Sequence, residues 1–232
     1  MRRFFCLSGM LLTVAVWLLV MNAGSEKARE TLSKPENTPR GKWILIELDR
    51  KRLTLYDAKT ELKSYPIASG AWDTPSPIGS FRITSRFSTE LSGFGTRFLG
   101  LNVPWGQYGI HGTDKPGSIG NNASHGCIRM RVSDAEELYA LVPCGTKVVI
   151  EGGPYGPLGD SLRTLSSGDR SSHVQAVQQK LRLLKFYQGA CDGVYGQGTG
   201  AAVRSARKAF GLSDQDVVDA ALYKALGLML FE

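Results

Sequence analysis

At 232 residues, with 42% hydrophobic and 21% charged residues, the chain has room for one medium domain and one small one, each able to bury a core. Its net charge of +7 is spread along the length with no basic block, which excludes a nucleic-acid site as the organising feature and leaves a mild preference for an anionic surface. Four cysteines stand at no spacing that suits zinc, so neither a metal nor a cofactor is expected.

Arg2 and Arg3 precede an apolar run from Phe4 to Met21 that only Ser8, Gly9 and Thr13 interrupt, the charged n-region and apolar h-region of an export signal. Residues 1–24 are therefore expected to be an export signal or a membrane anchor, with the rest of the chain outside the cytoplasm. Met21-Asn22-Ala23 is a poor small-x-small cleavage site and the run approaches bilayer-spanning length, which favours an uncleaved anchor and leaves cleavage open. Cys6 lies too early in the run for a lipid-modified cysteine. Residues 25–41, rich in Ser, Glu, Lys, Pro and Asn, are a solvated spacer.

From Trp43 the apolar period is two. Residues 43–48 and 53–55 flank a charged turn and predict a hairpin, and further strands are expected at 64–68, 80–85, 98–103 and 146–151 between Gly and Pro breakers. The stretch from Ile67 to Gly79 is a proline-stiffened turn with no assigned chemistry. One helix interrupts the strands: Ser133 and Glu136 form a capping-box pattern, Ala135, Leu138, Tyr139, Leu141 and Val142 make the apolar stripe, and Pro143 ends it. Residues 42–152 thus predict a mainly β domain. Residues 153–161, with Gly152-Gly153-Pro154-Tyr155-Gly156-Pro157 at their start, are a linker.

Residues 162–232 predict three short helices in a small bundle. Ser172 with Gln175 caps the first, with Val174, Val177, Leu181 and Leu184 on one face. Thr199 opens the second, with Ala202, Val203, Ala206 and Phe210, and Ser213 the third, with Val217, Val218, Ala221, Leu222 and Ala225. His173 is expected at the surface. A Cys144–Cys191 bridge would tie the two parts together, though nothing requires it; without it Cys144 is a small core residue at a strand start and Cys191 a loop thiol.

The chemistry concentrates in Ser124-His125-Gly126-Cys127-Ile128-Arg129-Met130 and, upstream, His111-Gly112-Thr113. A thiol attacks a carbonyl as thiolate, so it needs a neighbouring base, and His111 and Cys127 supply that pair. Gly126 removes bulk beside the sulfur, so the N–H groups of Gly126 and Cys127 are candidate oxyanion donors. Arg129 is a candidate for steadying the thiolate or holding a substrate carboxylate. A turn around a buried structural cysteine is the alternative these residues leave open. No acidic third member of a triad is evident; Asp114 is the nearest.

This pattern resembles the signature of the L,D-transpeptidase (YkuD-type) family, over Trp43 to about Glu151. The resemblance implies a β-sandwich in which the helix at Ser133 braces the nucleophile segment, Cys127 is the nucleophile, His111 the general base and acid, and the Gly112 carbonyl orients His111. It implies attack on a peptidoglycan stem tetrapeptide at its third residue, a diamino acid, with release of the terminal D-Ala. A thioester forms, and a side-chain amine of a second stem resolves it into a 3→3 cross-link. Water in place of the amine would make the enzyme an L,D-carboxypeptidase. Ser124 and His125 are candidates for substrate binding, and His125 alternatively for ordering the turn.

The C-terminal part resembles a peptidoglycan-binding domain of the three-helix type at Leu165, Gly168, Val174, Val177-Gln178, Leu181, Asp192-Gly193-Val194-Tyr195-Gly196, Thr199 and Ala202-Val203. It departs at Ala206-Arg207, where that family has Phe-Gln. The loop around Asp192 and Tyr195 is the expected wall contact. The implied partner is peptidoglycan in a bacterial envelope, with the membrane as a second partner if the N-terminal segment stays uncleaved. A non-catalytic wall-binding scaffold on the same fold is the competing class.

Overall fold

The computed structural model describes residues 41–88, 93–153, 158–159 and 162–229. The expected export signal or anchor at 1–24, and the spacer before Gly41, lie outside the described residues. Among the described residues no helix is long and apolar enough to cross a membrane. From Pro39 onward the chain forms one compact unit.

Its β part contains β1 (Lys42–Glu47), β2 (Arg52–Asp57), β3 (Thr60–Pro66), β4 (Ser69–Gly70), β5 (Gly79–Phe87), β6 (Phe98–Leu101), β7 (Tyr108–Gly112), β8 (Asn122–Ser124), β9 (Ile128–Met130) and β10 (Lys147–Glu151). Period-two alternation in β1 sends Ile44 and Ile46 fully inward, while Trp43 stacks on Tyr56, its cross-strand partner in β2, on the outer face. Eight strands form one continuous ladder in the order β3-β2-β1-β10-β5-β6-β7-β9, and β4 pairs with β8 separately. The sandwich that the resemblance implies takes the form of this single ladder, with the nine-residue β5 shared by its two halves. Isoleucines and leucines from β1, β2, β5, β6, β7, β9 and β10 meet in one core.

Two strands that matter most, β7 and β9, have no counterpart among the expected strands. Each is short, and Gly109, Gly112 and His111 break the apolar alternation on which strand reading depends.

The brace is α1 (Val132–Leu141), which buries Ala135 and Leu138 and packs on β7. Its expected capping box does not form. The N-cap is Arg131, with no side-chain cap bond, because Thr96 donates its hydroxyl to Glu136 at 2.6 Å and Ser133 turns to Asp134. A tertiary partner has taken the carboxylate that a local cap would have used.

The helical part has α2 (Ser172–Leu183), α3 (Gln197–Ala209) and α4 (Ala220–Ala225). The expected starts shift in all three. Ser171, not Ser172, caps α2 by accepting the Val174 N–H at 3.3 Å. Thr199 lies inside α3, where its hydroxyl accepts from Gln178 at 3.1 Å. Asp219 caps α4 by accepting the Leu222 N–H at 2.9 Å, and Ser213 precedes a non-helical stretch that includes a Leu165–Val218 bridge. Val174, Val177, Leu181, Ala202, Val203, Ala206 and Leu222 form the second core.

The Ala206-Arg207 departure has a structural cause. Arg207 is 2% exposed and donates to the Ser213 carbonyl and hydroxyl, the Val217 carbonyl and Asp219, tying the 213–219 segment to α3. The loop expected to contact wall is turned inward: Tyr195 is 1% exposed and donates to Asp216 at 2.9 Å. Gln178, fully buried, accepts the Gly193 N–H and donates to the Val194 carbonyl. The loop faces the β part. At Gly193, φ is +70° and an added Cβ would lie 2.4 Å from the Trp105 ring.

Two further contacts join the parts. The Ile78 N–H donates to Ser172 Oγ at 2.7 Å, and the Arg163 guanidinium donates to the Trp72 carbonyl while lying 5.4 Å from the Trp72 ring centre. His173, expected at the surface, is 7% exposed because α2 packs its first turn against this junction. Cys127, Cys144 and Cys191 are all free, so no Cys144–Cys191 bridge forms, and Cys144 is exposed where a core residue was expected.

Candidate active site

Parallel pairing of β7 with β9 sets His111 opposite Arg129 and Ile110 opposite Ile128. Cys127, one residue before β9, therefore stands level with Gly109. Residues eighteen apart in the chain become cross-strand partners, which leaves Cys127 two positions out of register with His111, and the hydrophobic Ile110–Ile128 pair is buried between the strands and fixes the register.

The His111 Nδ1 lies 2.5 Å from the Gly112 carbonyl oxygen. A carbonyl only accepts, so Nδ1 carries the proton and Nε2 keeps its lone pair for a proton from elsewhere. Phe98 stacks on the ring at 5.9 Å and Phe94 lies tilted at 4.7 Å, leaving the ring little room to turn. Burial holds the His111 pKa below its ordinary 6.5; the Gly112 and Phe94 carbonyls oppose that, and Arg129 reinforces it. Burial also pushes the Cys127 thiol above its ordinary 9.0, against the Gly109 backbone and Arg129. Both shifts favour the uncharged forms of the pair, a thiol and an imidazole. Asp114 is exposed, and Nδ1 already has the Gly112 carbonyl.

The turn around Cys127 is organised by Ser124. Buried at 3% exposure, its hydroxyl donates to the Cys127 carbonyl at 2.5 Å and accepts the Gly126 N–H at 3.0 Å. Two expectations change on this geometry. Gly126 is engaged with Ser124, so its N–H is not directed at an oxyanion, and Ser124 closes the turn instead of reaching substrate. Gly126 is nonetheless required: φ is +109° and an added Cβ would lie 2.6 Å from Tyr108 Cε1. Arg129 Nε is buried and without a hydrogen-bond partner among the described residues.

Residues 71–74, read as a plain turn, brace this motif. The Ala71 N–H and the Thr74 hydroxyl both donate to the Ser124 carbonyl, at 2.8 and 3.1 Å, and Ser76 Oγ accepts the Gly70 N–H at 2.8 Å. Tyr108 packs on Gly126, a contact with no signal in sequence, where a lone tyrosine at a strand start looks like any other. His125 is exposed and, with Tyr108, lines a cavity of about 330 Å³ between the β and helical parts.

Residues 41–150 match the family described as the YkuD L,D-transpeptidase catalytic domain. This segment is a YkuD-type L,D-transpeptidase catalytic domain. Residues 170–226 match the family described as "Putative peptidoglycan binding domain". The protein named "Putative L,D-transpeptidase YkuD" in Bacillus licheniformis is 43% identical over 107 residues, covering 46% of this chain and 64% of that protein. Its namesake in Bacillus subtilis gives the same values. The match thus spans less than two thirds of either relative. The solved L,D-transpeptidase from Mycobacterium smegmatis is 20% identical with a TM-score of 0.42, over 48% of this chain and 58% of that one. In the YkuD-type domain described here, His111, Gly112, Ser124, Cys127 and Arg129 all lie on or beside the β7–β9 pair, and His125 faces the neighbouring cavity.

Proposed function

We propose that the chain is a cysteine-dependent L,D-transpeptidase acting on peptidoglycan stem peptides. The observation that carries the reading is the His111 ring, with Nδ1 held by the Gly112 carbonyl, on the strand that pairs with the one Cys127 leads into. As Cys127 Sγ attacks the carbonyl of the third stem residue, His111 Nε2 takes the thiol proton. The Cys127 N–H donates to the developing oxyanion. Protonated His111 then gives its proton to the departing amine of D-Ala, the C–N bond breaks and a thioester remains. A side-chain amine of a second stem attacks the thioester, His111 accepts the amine proton, and the thiolate leaves and is reprotonated, which yields the 3→3 link. Arg129 holds the substrate carboxylate, consistent with its unpartnered Nε.

On this reading residues 42–152 form the catalytic domain and 162–232 a wall-directed helical domain, and the protein works on the outer side of the membrane. The family match to a peptidoglycan-binding domain supports that placement. Intact-mass measurement after incubation with stem tetrapeptide tests the chemistry. The wild-type protein gains the mass of the acyl tripeptide, and the Cys127→Ala and His111→Ala variants, folded by circular dichroism, gain nothing. An adduct on Cys127→Ala would sink the proposal. Free tripeptide in place of cross-linked dimer would identify water as the acceptor.

A further inference from the structure

The cavity beside the Cys127 turn is walled by both parts of the chain. Trp72, Tyr108 and His125 line it from the β part, and Arg163, Arg170 and Ser172 from the helical part. At about 330 Å³ it falls at the lower end of the roughly 300–1,000 Å³ typical of small-ligand sites.

Its chemistry points to a carboxylate. Trp72 is 65% exposed and presents a large amphipathic ring at the cavity wall. Arg163 lies over that ring and donates to the Trp72 carbonyl, which engages one of the five N–H groups of the guanidinium and aims the rest of the fork. Ser172 accepts the Ile78 N–H, so its own hydroxyl proton remains for a further acceptor. Ser172 also begins α2, whose twelve residues bring the positive end of a helix dipole to the same wall. Asp49 and Asp73 line the cavity as well. A lining of both signs suits a peptide that carries carboxylates together with an amine.

We propose that this cavity is a subsite for a carboxylate-bearing arm of a peptide, gripped by Arg163 over Trp72 and adjoining the Cys127 turn through Tyr108 and His125. The helical part is then a wall of the substrate site as well as a tether. Which peptide binds there rests on the stem-peptide reading of Cys127, and the test separates the two.

The full chain carrying Cys127→Ala is titrated calorimetrically with a stem tetrapeptide and with the same peptide whose side-chain carboxylates are carboxamides, the terminal carboxylate being kept in both. The carboxylate form should bind about tenfold more tightly. Arg163→Gln should abolish the difference, and Arg163→Lys should restore part of it; circular dichroism checks that α2 is intact in each. Equal affinities, no measurable binding of either peptide, or a preference that survives Arg163→Gln would each overturn the subsite. If the wild-type protein forms the acyl-enzyme while the two peptides bind alike, the catalytic reading stands and the subsite falls. If the Arg163-dependent preference is present without any acyl-enzyme, the reverse holds.

Discussion

Gly126 combines a left-handed φ of +109° with a Tyr108 ring 2.6 Å from where a Cβ would stand. Gly126→Ala meets both penalties, the backbone strain costing about 1–3 kcal/mol, and must displace the ring or the turn that carries Cys127. A lower urea midpoint together with loss of acyl-enzyme is expected; unchanged activity would show that the turn tolerates the shift. His111 and Cys127 also set a pH window. Burial lowers the folded pKa of His111 below 6.5, so the unfolded chain binds the proton more readily. The stability gained by burying neutral His111 is complete above about pH 6.5 and lost as pH falls towards the folded value. Cys127 has the opposite sign: raised above 9.0, it contributes fully below that pH and loses its contribution as pH rises past it. Iodoacetamide alkylation of Cys127 should therefore rise with a midpoint above pH 9. The ascending limb of kcat/KM should lie below pH 6.5, where His111 becomes neutral. A thiol titrating near pH 7 would mean a resting thiolate–imidazolium pair instead.

At the level of elements, local signals and tertiary partners compete, and the partners win where a side chain can reach further than its own turn. Periodicity alone places strands at β1, β2, β5, β6 and β10 and a helix near 133–142, because burial alternates or recurs along a contiguous stretch. Caps are less legible. Ser133, Ser172, Thr199 and Ser213 all have the chemistry of helix starts, yet the first turns to Asp134, the second accepts from Ile78 and the third from Gln178, while Ser213 serves Arg207 through its carbonyl and hydroxyl. Arg207 shows the scale of such a link. Replacing it with Ala leaves the Ser213 and Val217 carbonyls without their guanidinium donor and Asp219 without its ion-pair partner, a loss of about 3 kcal/mol or more. The 213–219 segment and α4 should loosen first, read as faster amide exchange in Leu222 and Tyr223; exchange at wild-type rates would assign the segment's order to its own packing.

For the whole molecule, the docking of the Asp192–Gly196 loop onto the β part matters most. Gly193→Val places side-chain atoms into Trp105 and the Ser171 carbonyl, and neither can retreat easily, since Trp105 is 6% exposed and Ser171 caps α2. An increased radius of gyration in solution scattering is expected, with both cores still folded by circular dichroism; an unchanged radius would show that the junction holds without this contact. The sequence by itself determined the order of a β part and a helical part and most buried positions, because these are carried by contiguous patterns. Only the tertiary structure decided where hydroxyl and N–H groups find their partners. Ser172 meets Ile78 across 94 residues and Thr74 meets Ser124 across 50, separations that leave no trace in local spacing. That is why the wall-facing loop turned inward and the Gly126 N–H went to Ser124, and why the cavity shared by Trp72 and Arg163 could not be read from either segment alone.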